Sequence, residues 1–153
     1  MIAVLQRVNS ATVYADGELS GTISRGLYIL LGVANGDSER DAVLLAEKIS
    51  KLRIFCDEND KMNLSVNDID GETLVVSNFT LNANYAHGNR PDYFGSAAPD
   101  VANELYELFK AELSKRVRKC ECGVFGADMR TEMSTDGPVT IIMDSNVLKG
   151  NKK

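Results

Sequence analysis

The chain has 153 residues, with 17 Lys and Arg against 22 Asp and Glu, and a formal net charge of -5. That length suits a single domain with a sizeable core, and a composition of 44% hydrophobic and 25% charged residues excludes a wholly disordered chain. The acidic balance excludes a protein that holds nucleic acid by charge alone, because broad phosphate binding leaves a basic footprint.

Met1 to Val8 alternates enough for a first strand and Ala11 to Ala15 for a second. Asp16-Gly17 is a hairpin turn signal, and Leu19 to Ile23 returns from it. Leu27 to Val33 is nearly all apolar, as a central strand covered on both faces should be. Ser38 followed by Asp41 marks a helix start, and Ala42, Leu45, Ile49 and Leu52 then share one helical face. Arg53 to Cys56 reads as a short strand ending in the turn Asp57-Glu58-Asn59-Asp60. That turn is not a calcium loop, since Lys61 and Met62 stand where a ligand and a glycine belong.

Asp70-Gly71 is another turn, and Thr73 to Ser77 a β-branched, apolar strand. A long polar segment from Asn82 to Ala98 follows, and loops of that length in compact domains are often functional. Pro99-Asp100 suits a helix's first turn, and Val101, Leu105, Leu108, Phe109 and Leu113 make an apolar stripe. Beyond Lys119 the pattern is strand-like, with Met129, Thr131 and Met133 alternating against Arg130, Glu132 and Ser134. Thr135-Asp136-Gly137-Pro138 reads as a turn and Val139 to Met143 as a last apolar strand. The expected architecture is one α+β domain over residues 1–147, a mostly antiparallel or mixed, barrel-like sheet with two main helices, and a short basic tail over 148–153.

The opening MIAVLQRVNSATV lacks a basic n-region and a long apolar run, so no signal peptide is expected. No stretch approaches the ~20 apolar residues of a membrane helix; the expectation is a soluble cytoplasmic protein with no membrane partner. Cys56, Cys120, Cys122 and His87 are the residues available for a zinc site, but no CxxC spacing is present and no metal is expected. A nucleophile elbow, a P-loop and a dinucleotide fingerprint are absent, so no cofactor is expected either.

Two segments stand out. Ser77-Asn78-Phe79-Thr80-Leu81 closes a predicted strand, where backbone N–H groups become free and can form an oxyanion hole. The plainer reading is a strand edge with surface hydroxyls. Asp136-Gly137-Pro138-Val139-Thr140 is ordinarily just a turn; with a cis Gly-Pro bond, a minority state at ~5–6% of X–Pro bonds, its carbonyls would make an acceptor pair for an ammonium group.

Together these segments resemble the D-aminoacyl-tRNA deacylase family, also called D-tyrosyl-tRNA deacylase. The family motif Ser-Gln-Phe-Thr-Leu is matched by Ser77 to Leu81, and Asn-x-Gly-Pro-Val-Thr by Thr135 to Thr140. Leu5-Gln6-Arg7-Val8, Leu30-Leu31-Gly32-Val33, Arg53-Ile54-Phe55, Lys61-Met62-Asn63-Leu64, Gly88-Asn89-Arg90-Pro91 and Phe125-Gly126-Ala127-Asp128-Met129 follow in family-like order, up to about Met143. The resemblance implies a homodimeric hydrolase that cleaves the ester between a D-amino acid and the 3′ end of tRNA, with glycyl-tRNA as an open second substrate. It implies that Gly137 and Pro138 enter the partner's site as a chirality filter, holding the substrate's amino group and leaving no room for an L side chain.

On the same footing, Ser77, Asn78, Phe79 and Thr80 line the reacting ester. No base for a Thr80 nucleophile is visible nearby, so a backbone oxyanion hole around Phe79 and Thr80, with water or the ribose 2′-hydroxyl, is preferred. Phe125 and Met129 form pocket wall, support the Gly-Pro loop, or simply pack in the core. Arg7 braces the opposing Gly-Pro loop or is an ordinary strand-end surface arginine. Asn78 stands in place of the family's glutamine, one methylene shorter. Arg7, Arg90 and Arg130 are the local cations that would let an acidic protein hold the aminoacylated 3′ end of tRNA. The rival readings are a catalytically silent tRNA-binding or dimeric scaffold protein of the same fold, and a module binding free nucleoside or amino acid.

Overall fold

The computed structural model of the chain describes residues 1–150. In chain order it has strands β1 (Ile2–Ala15), β2 (Glu18–Ile23) and β3 (Gly26–Gly32), helix α1 (Glu39–Lys51), strands β4 (Phe55–Cys56), β5 (Met62–Leu64) and β6 (Glu72–Ser77), helix α2 (Pro99–Ser114), strands β7 (Cys120–Cys122) and β8 (Met129–Asp144), and helix α3 (Ser145–Lys149). The main sheet is mixed, in the order β2-β1-β3-β6-β7, with β8 also paired to β1. The β3–β6 and β6–β7 pairs are parallel, the rest antiparallel. The Ser20 hydroxyl donates to the Cys122 carbonyl at 2.8 Å and the Lys119 ammonium to the Thr22 carbonyl at 3.1 Å, so β2 and β7 nearly close the sheet into a barrel. Strands β4 and β5 form a separate ribbon.

The sheet separates two cores. Leu5, Leu27, Ile29 and Leu31 pack with Leu45 and Ile49 of α1 and Leu105, Phe109 and Leu113 of α2. Val8, Ala11, Val13, Ile23, Tyr28, Leu74 and Val76 fill the barrel side. A strand buried on both faces must be apolar at every position, which is why β3 shows no alternation. Each buried Leu or Ile there contributes roughly 1.5–3 kcal/mol. Gly26 opens β3 because a Cβ at that point would collide with the Glu72 backbone of β6.

Helix α1 begins as expected. The Asp41 carboxylate accepts hydrogen bonds from the Ser38 N–H and hydroxyl, both at 2.9 Å, and also from Ser145 at 2.6 Å. Lys149 of α3 pairs with it at 2.6 Å. Burial pushes this carboxyl upward, but the hydrogen bonds from Lys149, Ser145 and Ser38 outweigh that and hold it far below the usual carboxylate range.

Four expectations change. The two predicted N-terminal strands are one strand, β1, whose register with β8 shifts on both sides of Val8. The stripe on α2 is rotated: Val101 is exposed, and the buried positions are Leu105, Tyr106, Phe109 and Leu113. The predicted tail from 148 begins inside α3, because Lys149 reaches back to Asp41; its last residues, 151–153, lie outside the described residues.

The fourth change matters most. Thr135 to Pro138 is not a turn between two strands but a bulge within β8. Gln6 pairs with Thr140 and Val8 with Thr135, so Asp136, Gly137, Pro138 and Val139 stand opposite Arg7 alone. Proline has no N–H for the ladder, and Gly137 sits at φ +138°, so this stretch leaves the sheet while both flanks stay paired.

Candidate active site

Strand β6 runs parallel to β3 as far as the Leu31–Ser77 pair, and the Asn78 N–H adds one more bond to the Leu31 carbonyl at 2.8 Å. The chain then folds into a single 3₁₀ turn, Phe79–Asn82. A turn of this kind leaves its first N–H groups without partners inside it. Asn78 satisfies one of them: its Oδ1 accepts from the Thr80 N–H at 3.3 Å and also from the Thr80 hydroxyl. The Leu81 N–H donates weakly to the Asn78 carbonyl at 3.4 Å. Among the described residues the Phe79 N–H has no acceptor.

This turn forms one lip of a cleft of about 450 Å³. Its floor is Leu31 of β3 and Val33 just beyond that strand, and Ser77, Asn78 and Phe79 form the near wall. Ser96 and Ala97 of the long loop, with Pro99, Ala102 and Tyr106 of α2, form a second wall, and the segment from Phe125 to Met129 the third. The walls are tied together. The Ser96 hydroxyl donates to the Phe79 carbonyl at 3.1 Å, and the Asn82 amide and the Ala97 N–H both donate to the Val33 carbonyl at 3.0 Å. Tyr106 is buried behind the cleft, its hydroxyl donating to the Val75 carbonyl at 3.2 Å, with the Gly123 carbonyl at 3.4 Å, and its ring 5.9 Å from that of Phe125. Burial pushes its phenol well above the ordinary value, so it stays a donor.

Of the sequence-predicted residues, Ser77, Asn78, Phe79, Phe125 and Met129 meet in this one cleft. Thr80 is adjacent and exposed, but it is not among the cleft's lining residues. Gly137 and Pro138 do not line the cleft of their own chain; their peptide bond is cis and both residues are exposed. Tyr106, Ser96 and Ala97 escape the sequence reading. Tyr106 was legible in principle, because Ala102, Tyr106, Phe109 and Leu113 recur at helical spacing. Ser96 and Ala97 carry no such signal.

Arg7 is not a surface arginine. It is buried, and it grips the bulge of its own chain. Its Nε donates to the Asp136 carbonyl at 3.2 Å and pairs with the Asp136 carboxylate at 3.1 Å, while its Nη1 donates to the Ile54 carbonyl at 2.8 Å. A planar guanidinium can serve these acceptors together, which an ammonium cannot.

The family model described as D-Tyr-tRNA(Tyr) deacylase matches residues 4–144. The chain is 52% identical over 145 residues to the D-aminoacyl-tRNA deacylase of Koribacter versatilis, covering 95% of this chain and 97% of that relative. It belongs to the D-Tyr-tRNA(Tyr) deacylase family. The same protein from Caldicellulosiruptor saccharolyticus is also 52% identical, with the same coverage. A solved structure titled c-Myc DNA Unwinding Element Binding Protein superposes with a TM-score of 0.88 at 38% identity, covering 94% of this chain and 98% of that one. A probable eukaryotic D-amino acid tRNA deacylase shares the fold, with a TM-score of 0.76 at 15% identity over 93% of this chain and 97% of the other.

Within this deacylase family the chain carries its own features. Of the three candidate cations Arg7 is buried, while Arg90 and Arg130 are exposed, Arg130 pairing with Glu132 and lying 4.4 Å from the Tyr14 ring. Cys56, Cys120 and Cys122 are free thiols, and burial pushes that of Cys120 up. Among the described residues no helix is long and apolar enough to cross a membrane, and no three His, Cys, Asp or Glu side chains cluster as metal ligands.

Proposed function

We propose that this chain hydrolyses the ester of D-aminoacyl-tRNA, releasing tRNA and the free D-amino acid. The observation that carries the reading is the cleft itself: in a member of a deacylase family, Ser77, Asn78 and Phe79 line an apolar-floored cleft beside a backbone N–H with no internal partner. The adenosine and ester enter this cleft. The Phe79 N–H donates to the carbonyl oxygen as negative charge develops on it, a contact that strengthens towards the transition state. A water oxygen adds to the carbonyl carbon and gives up its proton as the bond to the 3′ oxygen breaks and that oxygen takes the proton. If the ribose 2′-hydroxyl adds first, the acyl group moves to the 2′ oxygen and water then cleaves that second ester, returning the proton to the 2′ oxygen.

Thr80 is not the nucleophile in this reading. Its hydroxyl donates to an amide oxygen, which cannot take its proton, and a threonine needs a base to attack. Asn78 therefore shapes the turn through its short side chain. It caps Thr80 and leaves Phe79 as the free donor.

Discrimination comes from Gly137 and Pro138 of a second copy. Their carbonyls accept from the substrate's α-ammonium, and their bulk fills the space an L side chain would need. A steric block of that kind rejects a stereoisomer more strongly than an added contact selects one. Two features support a homodimer. The bulge is exposed and rigidly held yet away from its own cleft. Strand β8 pairs on one side only and carries exposed Ile142 and Met133, an edge that calls for a cover.

The test is discharge of D-Tyr-tRNA and L-Tyr-tRNA by the purified protein. The D form should be discharged well above background and the L form spared. Binding without turnover would instead identify a silent tRNA-binding scaffold. Light scattering should give about twice the chain mass.

A further inference from the structure

The long loop from Asn84 to Ser96 runs along the rim of the cleft and presents aromatic rings that the reaction leaves unused. Phe94 is 87% exposed and Tyr85 79%. Tyr93, the chain neighbour of Phe94, packs edge-on against Phe79, with centroids 5.1 Å apart, and Phe79 lines the cleft.

The loop is long but not loosely held. Asn84 and Asp92 exchange two backbone hydrogen bonds at 2.9 Å, and their side chains meet at 3.0 Å. The Phe94 N–H donates to the Asp92 carboxylate at 3.2 Å, and its carbonyl accepts from the Asn35 amide at 2.7 Å. Asn35 N–H also holds the Gly95 carbonyl at 2.9 Å, and Ser96 N–H holds that of Tyr93 at 2.9 Å. Both peptide groups of Phe94 are thus fixed while its ring stands in water. A ring carried on a fixed backbone is suited to a flat partner, because the loop itself need not be ordered for the contact.

We propose that Tyr85 and Phe94, with the exposed Arg90 of the same loop, form a stacking rim for the unpaired nucleotides that precede the terminal adenosine of the tRNA. The proposal rests on the functional reading above. Three features favour this occupant over others. Phe94 lies two residues before Ser96, which lines the cleft that takes the 3′ end, and next to Tyr93, which packs on Phe79. Stacking accepts any base, which suits an unpaired strand read without sequence choice. A chain with net charge -5 draws little affinity from phosphates, so contact must come from base faces, with Arg90 as the local cation.

The test compares two substrates and one ligand. Phe94→Ala and Tyr85→Ala should each raise KM for full D-Tyr-tRNA about fivefold or more, with kcat unchanged. Neither should alter hydrolysis of 3′-O-(D-tyrosyl)adenosine, which has no upstream nucleotides, and Phe94→Trp should restore the tRNA value. Binding of an uncharged RNA hairpin with a single-stranded 3′ tail should weaken in parallel. That measurement needs no turnover, so it reads the rim even if the hydrolysis reading fails. Equal effects on both substrates, no effect on the hairpin, or a lower solution mass of Phe94→Ala by light scattering would overturn the rim. The last result would mean that Phe94 is covered by a second copy.

Discussion

The cleft lip at Ser77 to Asn82 and the bulge at Asp136 to Val139 are both places where a strand stops obeying its ladder, and they do so in opposite ways. The lip ends a buried parallel strand and leaves the Phe79 N–H without a partner among the described residues. The bulge interrupts an edge strand and leaves Gly137 and Pro138 exposed. The lip is held from several sides, by β3, by Ser96 and by its own Asn78. The bulge is held from beneath by one guanidinium. The donor turn is anchored to the sheet although none of its own residues is buried, whereas the bulge stands out from its strand.

The largest effect should come from the bulge. A Cβ on Gly137 would lie 2.5 Å from the Val139 nitrogen, and the residue's φ of +138° is one that side chains avoid. Gly137→Ala should cut turnover of D-Tyr-tRNA by about a hundredfold through displaced carbonyls, and should also lower the melting temperature, because the strain lies in the backbone and exposure does not relieve it. Unchanged turnover would separate the bulge from the chemistry.

Arg7→Met should come next. It leaves Asp136 without its partner and the Ile54 carbonyl unsatisfied. Stability should fall by about 2 kcal/mol and turnover by about tenfold. Asp136→Asn, which keeps the main-chain contact, should cost less in both measurements. Equal losses would make the carboxylate the essential anchor.

At the lip, effects should be smaller and should split the two neighbours. Asn78→Ala frees the Thr80 N–H and loosens the turn, costing about fivefold in kcat, in line with the ~1 kcal/mol of a lost cap. Thr80→Ala should stay within about twofold, since its hydroxyl only donates to Asn78. A Thr80 loss exceeding the Asn78 loss would return the hydroxyl to the chemistry. Tyr106→Phe, behind the wall, should cost about 1 kcal/mol and lower the melting temperature by about 2–4 °C.

Asp41 serves as a control away from both regions. Its carboxyl is held below the unfolded value of about 3.9, so its stabilisation is complete above that pH and is lost as pH falls towards the folded value. Thermal melts should show stability dropping below about pH 4, less steeply in Asp41→Asn, with turnover per folded molecule unaltered at neutral pH.

Much of this was legible in the chain. The unbroken apolar run at Leu27 to Leu31 identifies a doubly covered strand, and Ser38 with Asp41 marks the start of α1, because period and cap chemistry are local. Ser77 to Phe79 and Phe125 to Met129 were singled out from motif order and do share one cleft. The errors have physical causes. Gly-Pro reads as a turn because both residues break a ladder, and only the pairing of Gln6 with Thr140 and Val8 with Thr135 shows that the ladder resumes on the same partner. Arg7 reads as surface because its partners, Ile54 and Asp136, are remote in sequence.

The sequence by itself determined the α+β class, the family and the segments that bear on chemistry, since composition, periodicity and short motifs are properties of neighbouring residues. Tertiary structure alone decided that the Phe79 N–H is the free donor and the Thr80 N–H is not. It also decided that the predicted turn is a bulge seated on Arg7, and that Tyr106 braces the wall. Each of these depends on which distant backbone group comes within hydrogen-bond reach, and the folded sheet sets that distance. A net charge of -5 excluded a broad phosphate grip from the start; the cleft and its aromatic rim leave room for a partner held by one end.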